Sequence, residues 1–502
     1  MPETKSKLPY LLGPFLKNYH QLQYISIRLL ISMFFLTLIL PSQTLAQKVF
    51  DVVILGGRVM DPETGRDEIA NVGIIGDHID TITTDDIRGR RTIDASRQIV
   101  APGFVDILSR LTFDRQAHVF KIGDGVTTAL GMHGGFPLDV SEYVKNHVEV
   151  GPLVNYAATV SHSELRNAVG ATDVYLPATP EQIEAMRPLA VKAIKDGAVG
   201  IGFGINYTPG ASYEEIFALF EVAASQGVPC HLHARYKGNV FPLTMSLSVM
   251  EVISIAAATG AQAQLAHLTS STVGSAPISI ALIEGASARG VDVGFDFHVW
   301  TRNQTTLQSA IYDAGWQKNF GGAEYSDVYV SDTQEQLTKE RFFELRKQPE
   351  ALSVQAEFIP EEEIILALRS PIGIVSSDGG GLINGRGHPR SVGTFSRFLG
   401  KFVRDLEIVD WMEGIRKVTL LPVQRLEKSI PDIAKKGRLQ IGMDADITVF
   451  DPATVQERST YKEPAQMSAG ISYVIVNGTL VLDDGKIVQG ALPGEWLRHP
   501  DS

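Results

Sequence analysis

Cysteine is nearly missing from this chain: Cys230 is the only one in 502 residues. An internal disulfide is therefore excluded, and stability has to come from a buried core. Cys230 lies in an apolar stretch and reads as a small buried hydrophobe. Clusters of lysine and arginine are also lacking. With a formal net charge of −12, this excludes an electrostatic nucleic-acid face. No Gly-rich dinucleotide loop opens a helix early in the chain, which argues against a doubly wound nucleotide-binding sheet. Internal repeats and low-complexity tracts are absent, and no pattern encodes an oligomeric state.

The longest apolar run, LLISMFFLTLIL at residues 29–40, is short for a membrane span of about 20 residues and suits the core of a signal peptide. Lys5, Lys7, Lys17 and Arg28 precede it, and Pro41 and Thr44-Leu45-Ala46 follow as a plausible cleavage site. Residues 1–46 are expected to act as a signal peptide or as an uncleaved anchor. The protein is accordingly expected to be exported, either periplasmic or secreted, with no membrane association beyond that anchor.

Beyond this segment, 44% hydrophobic content is enough for a large core. Residues 47–100 carry short β-rich runs, Val52-Val53-Ile54-Leu55 among them, separated by Gly56-Gly57 and Gly76-Asp77. Residues 436–502 have the same texture, with an Asn477-Gly478 hairpin turn. The two ends predict one small β-sandwich domain. Between them, residues 101–435 alternate strands with helical patterns, such as strand 229–233 before helix 245–259 and strand 262–267 before helix 277–289. This rhythm predicts an α/β fold, a (β/α)8 TIM-type barrel. Residues 301–360 interrupt it without a clear strand and read as an insertion over the barrel mouth, a candidate lid.

Three short apolar runs end in polar residues: Cys230-His231-Leu232-His233-Ala234-Arg235, Leu265-Ala266-His267-Leu268, and Ile374-Val375-Ser376-Ser377-Asp378-Gly379. Each suits a buried strand delivering a side chain at its tip. His231 and His233 also form a pair with period-two spacing.

These words, with Asp51–Gly57, Ile93–Ala95, Ala101–Asp106, Gly125–Thr128, His388-Pro389-Arg390, Gly393–Phe395, Gly442–Asp446, Phe450–Pro452 and Val476–Gly478, resemble the amidohydrolase superfamily and, within it, the D-aminoacylase (N-acyl-D-amino-acid deacylase) family. The resemblance spans nearly all of the chain after residue 46. It implies a zinc-dependent hydrolase of a linear amide in a small molecule such as an N-acyl-D-amino acid. It also implies that His233 and His267 are metal ligands and that Asp378 is the catalytic acid/base. The segment His388-Pro389-Arg390 resembles the family's substrate-carboxylate site, where a planar guanidinium binds a carboxylate bidentately. Arg235 and His298 join His388 and Arg390 as candidate substrate contacts.

The chain departs from the family in three places. Leu108 and Arg110 stand where the family has a histidine pair. His133 is the only obvious ligand where relatives place a cysteine or glutamate. His298 and Trp300 replace tyrosines. One reading is a single zinc on His133, His233 and His267, with Asp378 beside the activated water. Another is a binding protein or pseudoenzyme in which Arg110 fills the lost metal's place and pairs with Asp378. A third is a cyclic-amide hydrolase.

Overall fold

The computed structural model describes residues 48–500, apart from the side chains of residues 133–136. The signal-peptide or anchor expectation for residues 1–46 lies outside the described residues. Among the described residues no helix is long and apolar enough to cross a membrane.

Eight parallel strands form the centre in strict sequence order: Phe104–Asp106, Val126–Phe136, Asn155–Ser161, Ile201–Gly204, Cys230–His233, Ala263–Leu265, Val293–Phe297 and Gly373–Val375. Most are short and their described residues are buried, which is why they read as apolar runs without alternation. The helices between them have legible boundaries. Ser212 caps Tyr213–Gln226, and Gly227 ends it in the left-handed region. Thr244 caps Met245–Thr259, and Gly260 ends it likewise.

The first and eighth strands close the barrel just beyond their ends. The Asp378 amide donates to Leu108 O at 2.8 Å, and the Arg110 amide donates to Gly379 O at 2.8 Å. A buried network locks this seam. Lys121 Nζ lies 2.7 Å from Asp106 Oδ2 and 2.8 Å from Ser377 Oγ, and the Ser377 amide donates to Asp106 Oδ1 at 3.0 Å. Asp378 is thus held by its neighbours on both sides before its own side chain is considered.

Strands from both chain ends join one nine-stranded sheet. Its centre pairs Ile99–Pro102 with Ile447–Phe450, and its core mixes Val52, Ile54, Val72 and Ile74 with Ile447, Val449 and Ile475. Asn477 and Gly478 make the expected hairpin turn, both with positive φ (45° and 75°), as a type I′ turn requires.

The insertion corrects one expectation. Residues 301–360 contain a three-stranded antiparallel sheet, with Ser353–Glu357 between Arg302–Thr306 and Val328–Val330. It packs on its own core of Leu307, Tyr312, Trp316, Phe320 and Phe342. The strand Arg302–Thr306 is polar throughout, so no apolar alternation announces it.

Candidate active site

The tips of the barrel strands and the insertion surround a cavity of about 550 Å³. Its wall includes His233, His267, Asp378 and Arg390 from the motifs, and Asn303, Gln304, Thr305 and Thr306 from the insertion. The insertion therefore forms one side of the site. A larger, mostly apolar groove of about 850 Å³ runs between helices outside the barrel, and none of the motif residues reaches it.

His233 ends the fifth strand and His267 follows the sixth. Their rings meet edge to face, centroids 4.4 Å apart. Ser270 Oγ lies 2.7 Å from His267 Nδ1 and 2.8 Å from His267 O. A hydroxyl that donates to the carbonyl must accept from Nδ1–H, which leaves Nε2 as the acceptor nitrogen, the one suited to a metal. Burial, reinforced by the charges of Lys237 and Arg390, holds His267 well below the ordinary histidine range, so the ring is neutral.

Asp378 follows the eighth strand and pairs with Arg390, Oδ2 to Nη1 at 2.7 Å. Among the described residues Arg390 Nε has no hydrogen-bond partner. His267 and Asp378 both carry left-handed backbone, φ 34° and 50°. Such strain in residues other than glycine persists where the surroundings impose it, commonly at functional sites.

Several candidate contacts turn out to be supports. His388 accepts the Arg390 amide at Nδ1 (3.0 Å) and lies 3.0 Å from Arg302 O at Nε2, so it anchors the start of helix Arg390–Arg397 and is not part of this cavity's wall. His298 sits behind Arg390, 3.4 Å from Nη1. Burial and the Arg390 charge push it down to about 3, so it meets the guanidinium as a neutral ring. Arg235 points away from the cavity. It pairs with Glu251 at 2.8 Å, donates to Ala211 O at 2.7 Å and stacks on Tyr213. Arg235, His298 and His388, expected as substrate contacts, are not part of this cavity's wall, and their polar atoms hold the scaffold. Breaking a buried ion pair leaves a bare charge and costs about 3–5 kcal/mol. Arg235→Met is therefore expected to lower the thermal midpoint clearly while changing KM little, and a large KM increase in a stably folded variant would restore Arg235 to the site.

His231 and His233 share a side of their strand but lie at different depths. His231 is fully buried, with Nε2 2.8 Å from Asp296 Oδ2, and does not join His233 as a metal pair. Asp296 also accepts the His267 amide (2.9 Å) and Ser376 Oγ (2.9 Å), so it braces three strand tips at once. Arg110 lines the cavity, and Asp378 pairs with Arg390. Cys230 is buried, and burial pushes its thiol up, so it is inert.

Tyr207 and Lys237 were not singled out by the sequence motifs. Tyr207 lines the cavity, bonds Thr305 at 2.9 Å and sets its ring edge-on to His233. The Gly204–Pro209 segment, punctuated by glycine and proline, signals a strand end at the mouth but not which residue faces inward. Lys237 lines the same cavity at 4% exposure, four residues after His233. Burial pushes its amine down to about 7, opposed by the Asp378 charge.

No protein-family model matches the chain. Among curated proteins, it is 30% identical over 498 residues to N-acyl-D-glutamate deacylase of Alcaligenes xylosoxydans xylosoxydans, covering 91% of this chain and 98% of that protein. It belongs to the D-aminoacylase family of amidohydrolases. The D-aminoacylase of the same organism is 31% identical over 481 residues, 86% of this chain and 94% of that enzyme. A solved N-acyl-D-glutamate deacylase from Bordetella bronchiseptica, complexed with zinc and a phosphonate mimic of the tetrahedral intermediate, superposes with a TM-score of 0.77 at 25% identity. It covers 90% of this chain and all of that one. A D-aminoacylase structure with a binuclear centre, described as activated by one metal and attenuated by the second, has a TM-score of 0.77 at 26% identity, with the same coverage.

Against that family, the donors are unevenly kept. Among the described residues no three His, Cys, Asp or Glu side chains converge on one point. His233 and His267 do converge, and Ser270 presets the tautomer, so this pair fits a zinc that takes a third donor from the second strand. His133 lies on that strand, but its side chain falls outside those described. Around a second position the described donors are fewer: Leu108 is buried and offers none, Arg110 is a cation, and Asp378 pairs with Arg390.

Proposed function

We propose that this chain hydrolyses the amide of an N-acyl-D-amino acid, using one zinc per chain on His133, His233 and His267 and Asp378 as acid/base. The observation that carries the reading is the Asp378–Arg390 pair beside the two imidazoles: a proton carrier and a carboxylate receptor in one cavity. Zinc bound there would supply a Lewis acid and a water acidified toward a pKa of about 7. The chain's own residues supply the rest. Arg390 takes the substrate's α-carboxylate and so sets the amide against Asp378. Asp378 accepts the proton of the attacking water and returns it to the leaving nitrogen. Tyr207 covers His233 and narrows the space left to the acyl group. The N-terminal segment supports action outside the cytoplasm.

Incubation of zinc-reconstituted protein with N-acetyl-D- and L-amino acids, with release of free amine as readout, tests this. Turnover of D substrates alone is expected. Ring opening of a hydantoin without deacylation would mean a cyclic-amide hydrolase, and no turnover at all would leave a ligand-binding protein. Arg390→Gln is expected to raise KM by about 10- to 100-fold, the worth of a charge-assisted hydrogen bond. An unchanged KM would place the carboxylate elsewhere.

A further inference from the structure

Exposed apolar side chains are not spread evenly over this molecule. Of the 18 large hydrophobic residues that stand exposed among the described residues, eight gather at one place outside the barrel. The place is the groove of about 850 Å³ between helices Pro180–Lys195, Tyr213–Gln226 and Met245–Thr259. Tyr213, Phe217 and Met250 stand exposed in its wall. Tyr175 and Leu176 lie beside it, because the Gly210 amide donates to Val174 O at 2.8 Å and brings that loop to the start of Tyr213–Gln226. Val240, Phe241 and Leu243 complete the set. They sit on a short loop pinched at its base, where the Met245 amide donates to Gly238 O at 2.9 Å. The helix that follows carries Leu247 and Met250 into the groove wall. Phe241 is 87% exposed, the most of any large hydrophobic side chain among the described residues. One face thus holds a socket and a knob.

The charges on this face are largely matched within the chain. Arg187 pairs with Glu184 at 3.1 Å and Glu221 at 2.6 Å, and Glu251 pairs with Arg235 at 2.8 Å. Glu214 stands exposed at the groove edge, and the loop from Asn239 to Leu243 carries no charge. Such a face selects for apolar shape rather than for a charged partner.

Its size points to the occupant. With an aromatic side chain covering about 150–250 Å², the eight exposed fractions amount to on the order of 800 Å², which is what each partner contributes to a standard stable interface. Monomers rarely leave that much contiguous apolar surface in water. A two-fold pair of identical faces uses both features at once, because each copy's Phe241 can enter the other's groove.

We propose that this face joins two copies of the chain in an isologous dimer, with Phe241 as the knob and the groove beside Phe217 and Met250 as its socket. The dimer is independent of what the barrel cavity hydrolyses.

Sedimentation velocity of the full chain over a dilution series is expected to show a dimer at micromolar protein. Phe241→Asp should raise the dissociation constant by about 100-fold or more, since a central aromatic anchor gives way to a charge that would have to be buried. Met250→Glu should do the same from the socket side. Both positions are exposed, so both variants are expected to fold, and a cooperative thermal melt checks it. Mixing the two variants tests the geometry. The intact loop of Met250→Glu meets the intact groove of Phe241→Asp, so heterodimers should form where neither variant pairs with itself. A wild type that stays monomeric overturns the proposal, and its flotation with phosphatidylcholine vesicles would give the face to a lipid surface. A dimer that survives both substitutions overturns it as well, because it would use another face. Mixed variants that remain monomeric would rule out the knob-in-socket arrangement.

Discussion

Asp378→Asn is expected to lower kcat by about 10²- to 10⁴-fold, the usual worth of a positioned acid/base. The substitution is unusually clean here. Asparagine tolerates the left-handed backbone that Asp378 adopts, φ 50°. The amide that donates to Leu108 O at 2.8 Å is backbone and remains. The asparagine oxygen can still accept from Arg390 Nη1, so the guanidinium keeps its place and KM should move far less than kcat. What disappears is the ability to take a proton and return it. Steady-state kinetics on an N-acetyl-D-amino acid, with metal content measured alongside, decides the matter. A kcat within about 3-fold of wild type would move the proton to another group, Lys237 being an alternative base that lines the cavity.

Much of the scaffold was legible because barrel strands and helices advertise themselves locally. The strand Cys230–His233 is a buried run, and the helix after it starts at Thr244 and stops at Gly260. The site was legible in part for the same reason: His233, His267 and Asp378 sit at strand tips, and strand tips converge at one end of a barrel. What was not legible depends on side chains reaching across the fold. Arg235 reads as part of the His-Ala-Arg word, but Glu251, on the next helix, captures it. His388 and His298 look like ligands in one dimension, but in three they brace Arg390. The Lys121–Asp106–Ser377 lock joins residues more than 250 positions apart, and no local pattern encodes that distance. Lys237 carries no motif at all, and only burial inside the cavity marks it.

The metal decides between a hydrolase and a binding protein, and the donors make a sharp expectation. Purified protein reconstituted with zinc should hold one ion per chain, and excess zinc should add no second. The limit follows from the closing seam. At the end of the first strand Leu108 is 1% exposed and has no donor atom. Arg110 carries a permanent charge into the same wall. Asp378, the carboxylate that would have to turn toward a second ion, would first have to leave Arg390. His233→Ala should lose the ion and bring hydrolysis to background, because two remaining imidazoles make a poor zinc site. Ser270→Ala should do less. It frees the His267 ring to choose its other tautomer, and loss of such an outer partner typically costs about 10–100-fold in metal affinity. Elemental analysis and a chelator titration of the three proteins read both effects. Two zinc ions in wild type would mean that Arg110 and Arg390 yield to metal. Zinc retained in His233→Ala would place the ion away from His233 and His267, and the reading of the site would fall with it.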